Sequence, residues 1–214
     1  MDAFRENWDL ILDGFWNTVQ LLLVSGLIAL VLGTLVAVAR VSPVPILRGA
    51  GTTYVTLFRN TPLLVLILLT YYGLPEIGID FGFFTMIVMA MGLYTASFVT
   101  EAIRAGVNGI GLGQAEAARS IGMPFGLTMT QVILPQAFRF VVPPLASVFI
   151  ALAKNTSLAA VFGIAEATFR MRGLTRDYAT EQIQIFIGIA LGYIIIVEVI
   201  SFAASRFERR WAVR

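Results

Sequence analysis

Apolar residues in this chain fall in long runs separated by short clusters of charge, with no heptads, low-complexity tracts or internal repeat. Cutting at the charges leaves neutral windows at 15–39, 60–75, 81–100, 140–153 and 182–197. A bilayer core of about 30 Å takes about 20 apolar residues at about 1.5 Å each. The runs therefore predict an all-α integral membrane protein with five transmembrane helices over roughly 15–39, 51–75, 83–104, 139–162 and 182–205. The shorter windows must be extended to span, so the second helix begins before Arg59 and carries Arg59 and Pro62. The fourth then includes Lys154 and the fifth includes Glu198.

A further neutral window at 120–138 contains Gly122, Pro124, Gly126 and Pro135, with Thr128, Thr130, Gln131 and Gln136 spread through it. It reads as a broken, partly amphipathic loop between helices three and four, not as a sixth span. Just before and into it, good helix formers from Gln114 to Arg119 precede Gly122, able to take the left-handed C′ conformation, and Pro124. Two short helices meeting at a glycine hinge, the second over 125–134, are expected there. An outer loop is expected at about 163–181.

Composition agrees with the runs and removes competing classes. The chain of 214 residues is 58% hydrophobic and 13% charged, where a soluble domain has roughly 45–50% and about 25%. Zero Cys and zero His remove thiol nucleophiles, thiolate metal sites and Ser-His-Asp triads. The segment before the first run is acidic and the run is too long for a signal-peptide h-region, so the first helix reads as retained. With five spans, one face collects ten basic residues (Arg40, Arg48, Arg59, Arg104, Arg119, Arg139, Arg206, Arg209, Arg210, Arg214) and four acids, the other five basic residues and nine acids. The positive-inside rule then puts the N-terminus outside and the C-terminus in the cytoplasm. That asymmetry accounts for the basic pI, so no nucleic-acid partner is called for. Trp8, Trp16 and Trp211 suit interface anchors.

The central loop carries the most specific signal. Glu116-Ala117-Ala118, three residues, Gly122, nine residues and then Val132-Ile133-Leu134-Pro135 resembles the EAA loop of ABC import permeases, with Val132 as its one departure. Asn17-Thr18-Val19-Gln20, Arg59-Asn60-Thr61-Pro62, Tyr71-Tyr72-Gly73-Leu74-Pro75, Glu101-x-x-Arg104-x-Gly106 and Lys154-Asn155-Thr156-Ser157-Leu158 resemble signature segments of the polar amino acid branch, and the segments at 41–48 and 113–120 resemble glutamate permeases. Asn60 departs from the Gly of many relatives.

The resemblance implies a multi-pass permease of the bacterial plasma (inner) membrane. Its coupling residues would be Glu116, Ala117, Ala118, Arg119 and Gly122, docked in a groove of an ATPase dimer. It implies a second permease chain or a copy of this one, an external amino-acid-binding protein, and ATP with Mg held by the ATPase partner. No cofactor is expected in this chain, which has no G-x-x-x-x-G-K-[ST] phosphate loop. The competing reading is a secondary carrier or channel driven by an ion gradient, which would need an intramembrane acid such as Glu198.

Polar residues at membrane depth supply the candidate path. Lys154, expected about 21 Å into its helix, would attract an amino-acid carboxylate while Asn155, Thr156 and Ser157 bind its polar atoms; Ser97 is a further candidate. The alternative is a snorkelling Lys154 with Thr156 and Ser157 bonding their own helix. Glu101 and Arg104, one turn apart, form a self-compensated pair, a gate together with Arg59, or a contact to the coupling loop. Membrane lipid would contact much of the remaining apolar surface.

Overall fold

A computed structural model describes residues 2–211. Of the positions singled out above, Arg214 lies outside the described residues, as do the side chains of Arg210 and Trp211. The described chain runs α1 (Asp2–Glu6), α2 (Trp8–Val41), α3 (Pro45–Asn60), α4 (Leu63–Leu68), α5 (Leu74–Glu76), α6 (Phe83–Asn108), α7 (Leu112–Ser120), α8 (Phe125–Leu127), α9 (Leu134–Asn155), α10 (Ala167–Asp177) and α11 (Gln182–Trp211). Four continuous helical stretches, Trp8–Val41, Phe83–Asn108, Phe125–Phe162 and Ala179–Arg209, are long and apolar enough to cross a membrane.

The second expected span is not one straight helix. Pro45–Asn60 and Leu63–Glu76 meet at 101°, because Pro62 excludes helical geometry from the residue before it. Thr61 is accordingly extended at φ −98°, ψ 129°. The loop expected at 120–138 is also corrected: only its first part is non-helical, and from Phe125 the chain is helical through to Phe162. Prolines explain the local windings in both places. π-helical turns occupy Leu69–Gly73 and Thr128–Ile133, just before Pro75 and Pro135. Each proline has no N–H to give, and its ring crowds the carbonyl four residues back, at Tyr71 and Gln131, so the turn widens to fit. The segment expected as an outer loop at 163–181 contains α10, another correction.

The long pair α2 and α6 forms the centre of the bundle, with α9 against α6 and α11 against α9. Between apolar helices in lipid, close contact and interhelical hydrogen bonds replace the hydrophobic effect as the cohesive force. Gly33 shows why this pair needs small residues. A Cβ there would stand 2.7 Å from the Val99 side chain and 2.8 Å from the Ala96 carbonyl oxygen. The close approach lets the buried Thr100 donate to the Gly33 carbonyl at 3.0 Å. Farther along, Tyr54 of α3 donates to the Leu93 carbonyl of α6 at 2.6 Å, holding α3 beside the same helix.

Trp8 and Trp16 are exposed, as interface anchors would be. At that end the Glu181 carboxylate accepts the backbone N–H of Asp2 at 3.0 Å, and Tyr178 donates to Glu6 at 2.7 Å. The Glu6 hydrogen bond raises the Tyr178 pKa above the ordinary phenol value. The N-terminal segment and the α10–α11 junction therefore share one end of the bundle. Glu198 is exposed on α11, not turned toward another helix of this chain.

Candidate functional site

Seven residues before the end of α6, about 10 Å along the helix, Glu101 gathers arginines from three helices. Arg40, in the last turn of α2, donates from Nη1 to Oε1. Arg104, one turn along α6, grips Oε2 with Nη2 at 2.8 Å and Nε at 3.1 Å. Arg59, in the last turn of α3, stands 3.8 Å from Oε1, inside Coulombic reach but beyond hydrogen-bonding distance. Its guanidinium lies over the Phe98 ring, 5.2 Å from the centroid. The expected Glu101–Arg104 pair is present, Arg59, already grouped with it by the sequence, stands beside it, and the structure adds Arg40. Arg40 was absent from the sequence candidates because its partner is 61 residues away.

Beside this cluster is a cavity of about 340 Å³ lined by Arg40, Val55, Thr56, Arg59, Asn60, Phe98 and Glu101. Phe98 also walls a second cavity, of about 230 Å³, with Tyr94, Thr95, Ser147, Ala151 and Asn155. Tyr94 and Glu101 are two turns apart on α6, so the two cavities follow each other along one face of that helix, with Phe98 between them. The second one is bounded by α9, where Pro143 and Pro144 interrupt the hydrogen-bond ladder.

The Lys154 to Ser157 run divides. Asn155 faces the second cavity. Lys154 is exposed and outside both cavity linings. Thr156 is buried and donates to the Ala153 carbonyl at 2.7 Å, while Ser157 donates to the Lys154 carbonyl at 2.7 Å. Both hydroxyls are thus committed to their own backbone, at the point where the helix tightens to a 3-10 helix over Thr156–Phe162. Ser97 is also buried and donates to the Tyr94 carbonyl at 2.6 Å. Of these five candidates, Asn155 alone lines either of the two cavities.

The central segment forms a projecting knob. Gly122 is left-handed at φ +83°, its N–H meeting the Arg119 carbonyl at 3.0 Å and the Met123 N–H the Ala118 carbonyl at 3.1 Å, which closes α7. Glu116, Ala117 and Arg119 are exposed, whereas Ala118 is buried. Of the two motif alanines only Ala117 is therefore at the surface, because α7 turns Ala118 inward as it packs on the wide turn before α9. Ile121 is 78% exposed and Phe125 76% exposed, flanking the hinge. These two bare apolar side chains stand beside a charged helix, outside the residues that the motif singles out.

At the other end, the sequence candidates omitted Glu166. It is fully buried and accepts from Tyr193 of α11 at 2.6 Å and from the Phe169 N–H of α10 at 2.8 Å. Thr18 of α2 lies 3.4 Å away and takes the Ala167 N–H at 3.2 Å. Glu166 caps α10 and ties it to α2 and α11, but loop position alone gave no signal of burial.

Residues 29–213 match the family described as "Binding-protein-dependent transport system inner membrane component". The glutamate transport system permease protein GluC of Corynebacterium glutamicum is 36% identical, over 95% of both chains. The glutamate/aspartate import permease protein GltJ of Escherichia coli is 32% identical, over 92% of this chain and 85% of the relative. A crystal structure of an amino acid ABC transporter with histidines superposes with a TM-score of 0.88 at 31% identity, covering 97% of each chain. The matched length, the identity and the superposition agree: the chain belongs to the inner-membrane permease components of binding-protein-dependent ABC transport systems, within the amino-acid permeases, and is a multi-pass plasma-membrane protein.

Proposed function

We propose that this chain is the translocating subunit of an ATP-driven importer of glutamate. The observation that carries the reading is the excess of guanidinium over carboxylate beside the inner cavity, Arg40, Arg59 and Arg104 against Glu101, in a chain similar to glutamate permeases. An anionic substrate is favoured where a partly dry site holds unbalanced positive charge. Asn155, whose amide has no hydrogen bond among the described residues, offers a neutral contact in the outer cavity before the substrate passes Phe98.

In this reading Glu116, Ala117, Arg119 and Gly122 present the knob to an ATPase dimer that holds ATP and Mg, and Ile121 and Phe125 fill its groove. A second permease, a paralogue or a copy of this chain, completes the membrane unit, and an amino-acid-binding protein delivers substrate from outside. The N-terminus and α10 lie outside and the knob inside. Their separation is supported by the Asp2–Glu181 contact at one end and the arginine cluster toward the other.

The test is co-purification with the ATPase subunit, followed by reconstitution with the binding protein in liposomes. Glutamate should stimulate ATP hydrolysis and accumulate inside. Hydrolysis that responds to glutamine or arginine but not to glutamate would reject the substrate assignment. Cysteines at Ala3 or Thr175 should react with an external impermeant maleimide and one at Gln114 should not; the opposite pattern would invert the topology.

A further inference from the structure

The cluster around Glu101 is unevenly satisfied. Each carboxylate oxygen already has a close donor, Oε1 from Arg40 and Oε2 from the Arg104 fork. Arg59 is left with five N–H donors and no hydrogen bond among the described residues, 3.8 Å from an oxygen that Arg40 already holds. Its side chain is 43% exposed, against 15% for Arg40, and it lines the 340 Å³ cavity with Thr56 and Asn60 as neutral neighbours. Phe98 supports the guanidinium from one side. A planar, supported fork with free donors matches the two oxygens of a carboxylate.

We propose that Arg59 is a carboxylate-binding station on the inner half of the transport path. There the carboxylate of the transported amino acid takes up the donors that Glu101 does not reach. Arg40 contributes positive potential from the opposite wall, and Glu101 limits how tightly the anion is held, so that it can leave toward the cytoplasm. The Arg59–Phe98 stack closes the way to the Asn155 cavity when the station is empty, because Phe98 is a wall of both. An arriving carboxylate turns the guanidinium toward itself and frees the ring. The inference rests on the amino-acid import reading for the identity of the anion, but the preference of the site for negative charge can be measured without transport.

The test uses the absence of native cysteine. In the transporter assembled with its partners in liposomes, Thr56→Cys places a thiol in the cavity wall. Its reaction rates with a negatively and a positively charged methanethiosulfonate reagent give a charge-preference ratio. Arg59→Gln in that background should lower the anionic-to-cationic ratio about tenfold, as expected for one unit charge a few ångströms away in a partly screened site, and Arg59→Lys should retain most of it. Added glutamate should slow the anionic reagent in the Arg59 background and not in Arg59→Gln. In the Cys-free chain, Arg59→Gln should cut glutamate uptake at least tenfold with partial recovery in Arg59→Lys. An unchanged ratio in Arg59→Gln overturns the station, even if uptake falls, since the role would then be structural. Protection that requires anionic lipid and not glutamate overturns it as well. A charge preference that follows Arg59, together with protection by another amino acid in place of glutamate, would retain the station and reject the glutamate assignment.

Discussion

Two carboxylates, Glu166 and Glu101, join three helices at different ends of the same bundle, and they are held in opposite ways. Glu166 is enclosed, and its donors are neutral: a phenol, a backbone N–H and a nearby threonine hydroxyl. No cation forms an ion pair with it among the described residues. Glu101 is partly exposed, bordered by a cavity and surrounded by more positive charge than it can neutralise. A fully satisfied, dry network specifies one arrangement because every alternative leaves a buried group unmet. An oversupplied charge cluster in contact with a cavity has alternative pairings of similar energy. The first is built to hold α10 in position and the second to exchange partners.

Glu166→Ala is the strongest way to break this comparison. It would leave the Phe169 N–H without an acceptor and the Tyr193 hydroxyl with only Thr168, 3.0 Å away, and would uncap α10, at about 1–3 kcal/mol for the unmet group and ~1 kcal/mol for the cap. We expect a large drop in melting temperature in detergent and new protease cleavage within 167–177. Glu166→Gln, which keeps one acceptor oxygen, should fall between this variant and the parent. A melting curve for Glu166→Ala that overlays the parent would mean that the clasp does not hold that end of the bundle.

Glu101→Gln should have the reverse profile, a moderate loss of stability and a larger loss of transport. Breaking one partner of a buried pair typically costs ~3–5 kcal/mol. Arg59 and Arg104 are partly in solvent, and the amide still accepts a hydrogen bond, so about 1–3 kcal/mol is expected here. With the counter-charge gone, the carboxylate station should bind its anion more tightly and release it slowly. Uptake at saturating substrate should therefore fall more than uptake at limiting substrate. Equal losses of uptake and of assembled complex would make Glu101 structural, like Glu166.

The sequence disclosed the spans and the knob more fully than the path, and the residues show why. Apolar runs of membrane length and a glycine followed by a proline are local signals, so α2, α6, α11 and the left-handed Gly122 could be read directly. Pro62 was visible too, but placing it inside a single span overlooked its restriction on Thr61. Continuation of the helix from Phe125 was hidden because glycine and proline suggested a break, whereas Pro135 is accommodated by a wide turn. Pairings such as Arg40–Glu101 and Thr18–Glu166 depend on helix packing over 61 and 148 residues. Composition could place these residues at the right end but not face to face. In the Lys154 to Ser157 run, neighbours in sequence point in different directions around the helix, and that rotation selects Asn155.

That selection gives a finer test of the cavity that Asn155 lines. Asn155→Ala should reduce uptake about tenfold at limiting substrate with a change in stability near 1 kcal/mol or less, since the amide has no hydrogen bond to lose among the described residues. Lys154→Met should keep most of the uptake, because the exposed ammonium is outside both cavity linings. If Lys154→Met is the more damaging of the two, the path passes the Lys154 face instead.

The smallest effect on stability is expected from a charge change on the knob, where the two ends of the bundle would be linked to ATP hydrolysis. Glu116 is exposed and makes no ion pair among the described residues, so Glu116→Lys should change stability by no more than about 0.5 kcal/mol. It nevertheless reverses the charge offered to the ATPase groove, where like-charge contact discriminates strongly against binding. Gly122→Val acts through the backbone instead. A β-branched residue at φ +83° costs ~1–2 kcal/mol, and the hinge between α7 and the Phe125 helix would reopen. Both variants should insert normally and retain Glu166-dependent protection of α10 from protease. Glu116→Lys should weaken ATPase association, and Gly122→Val should preserve more of that association while separating hydrolysis from uptake. Full assembly with normal glutamate uptake in both would remove the knob from the coupling route and leave Ile121 and Phe125 as the surface to test.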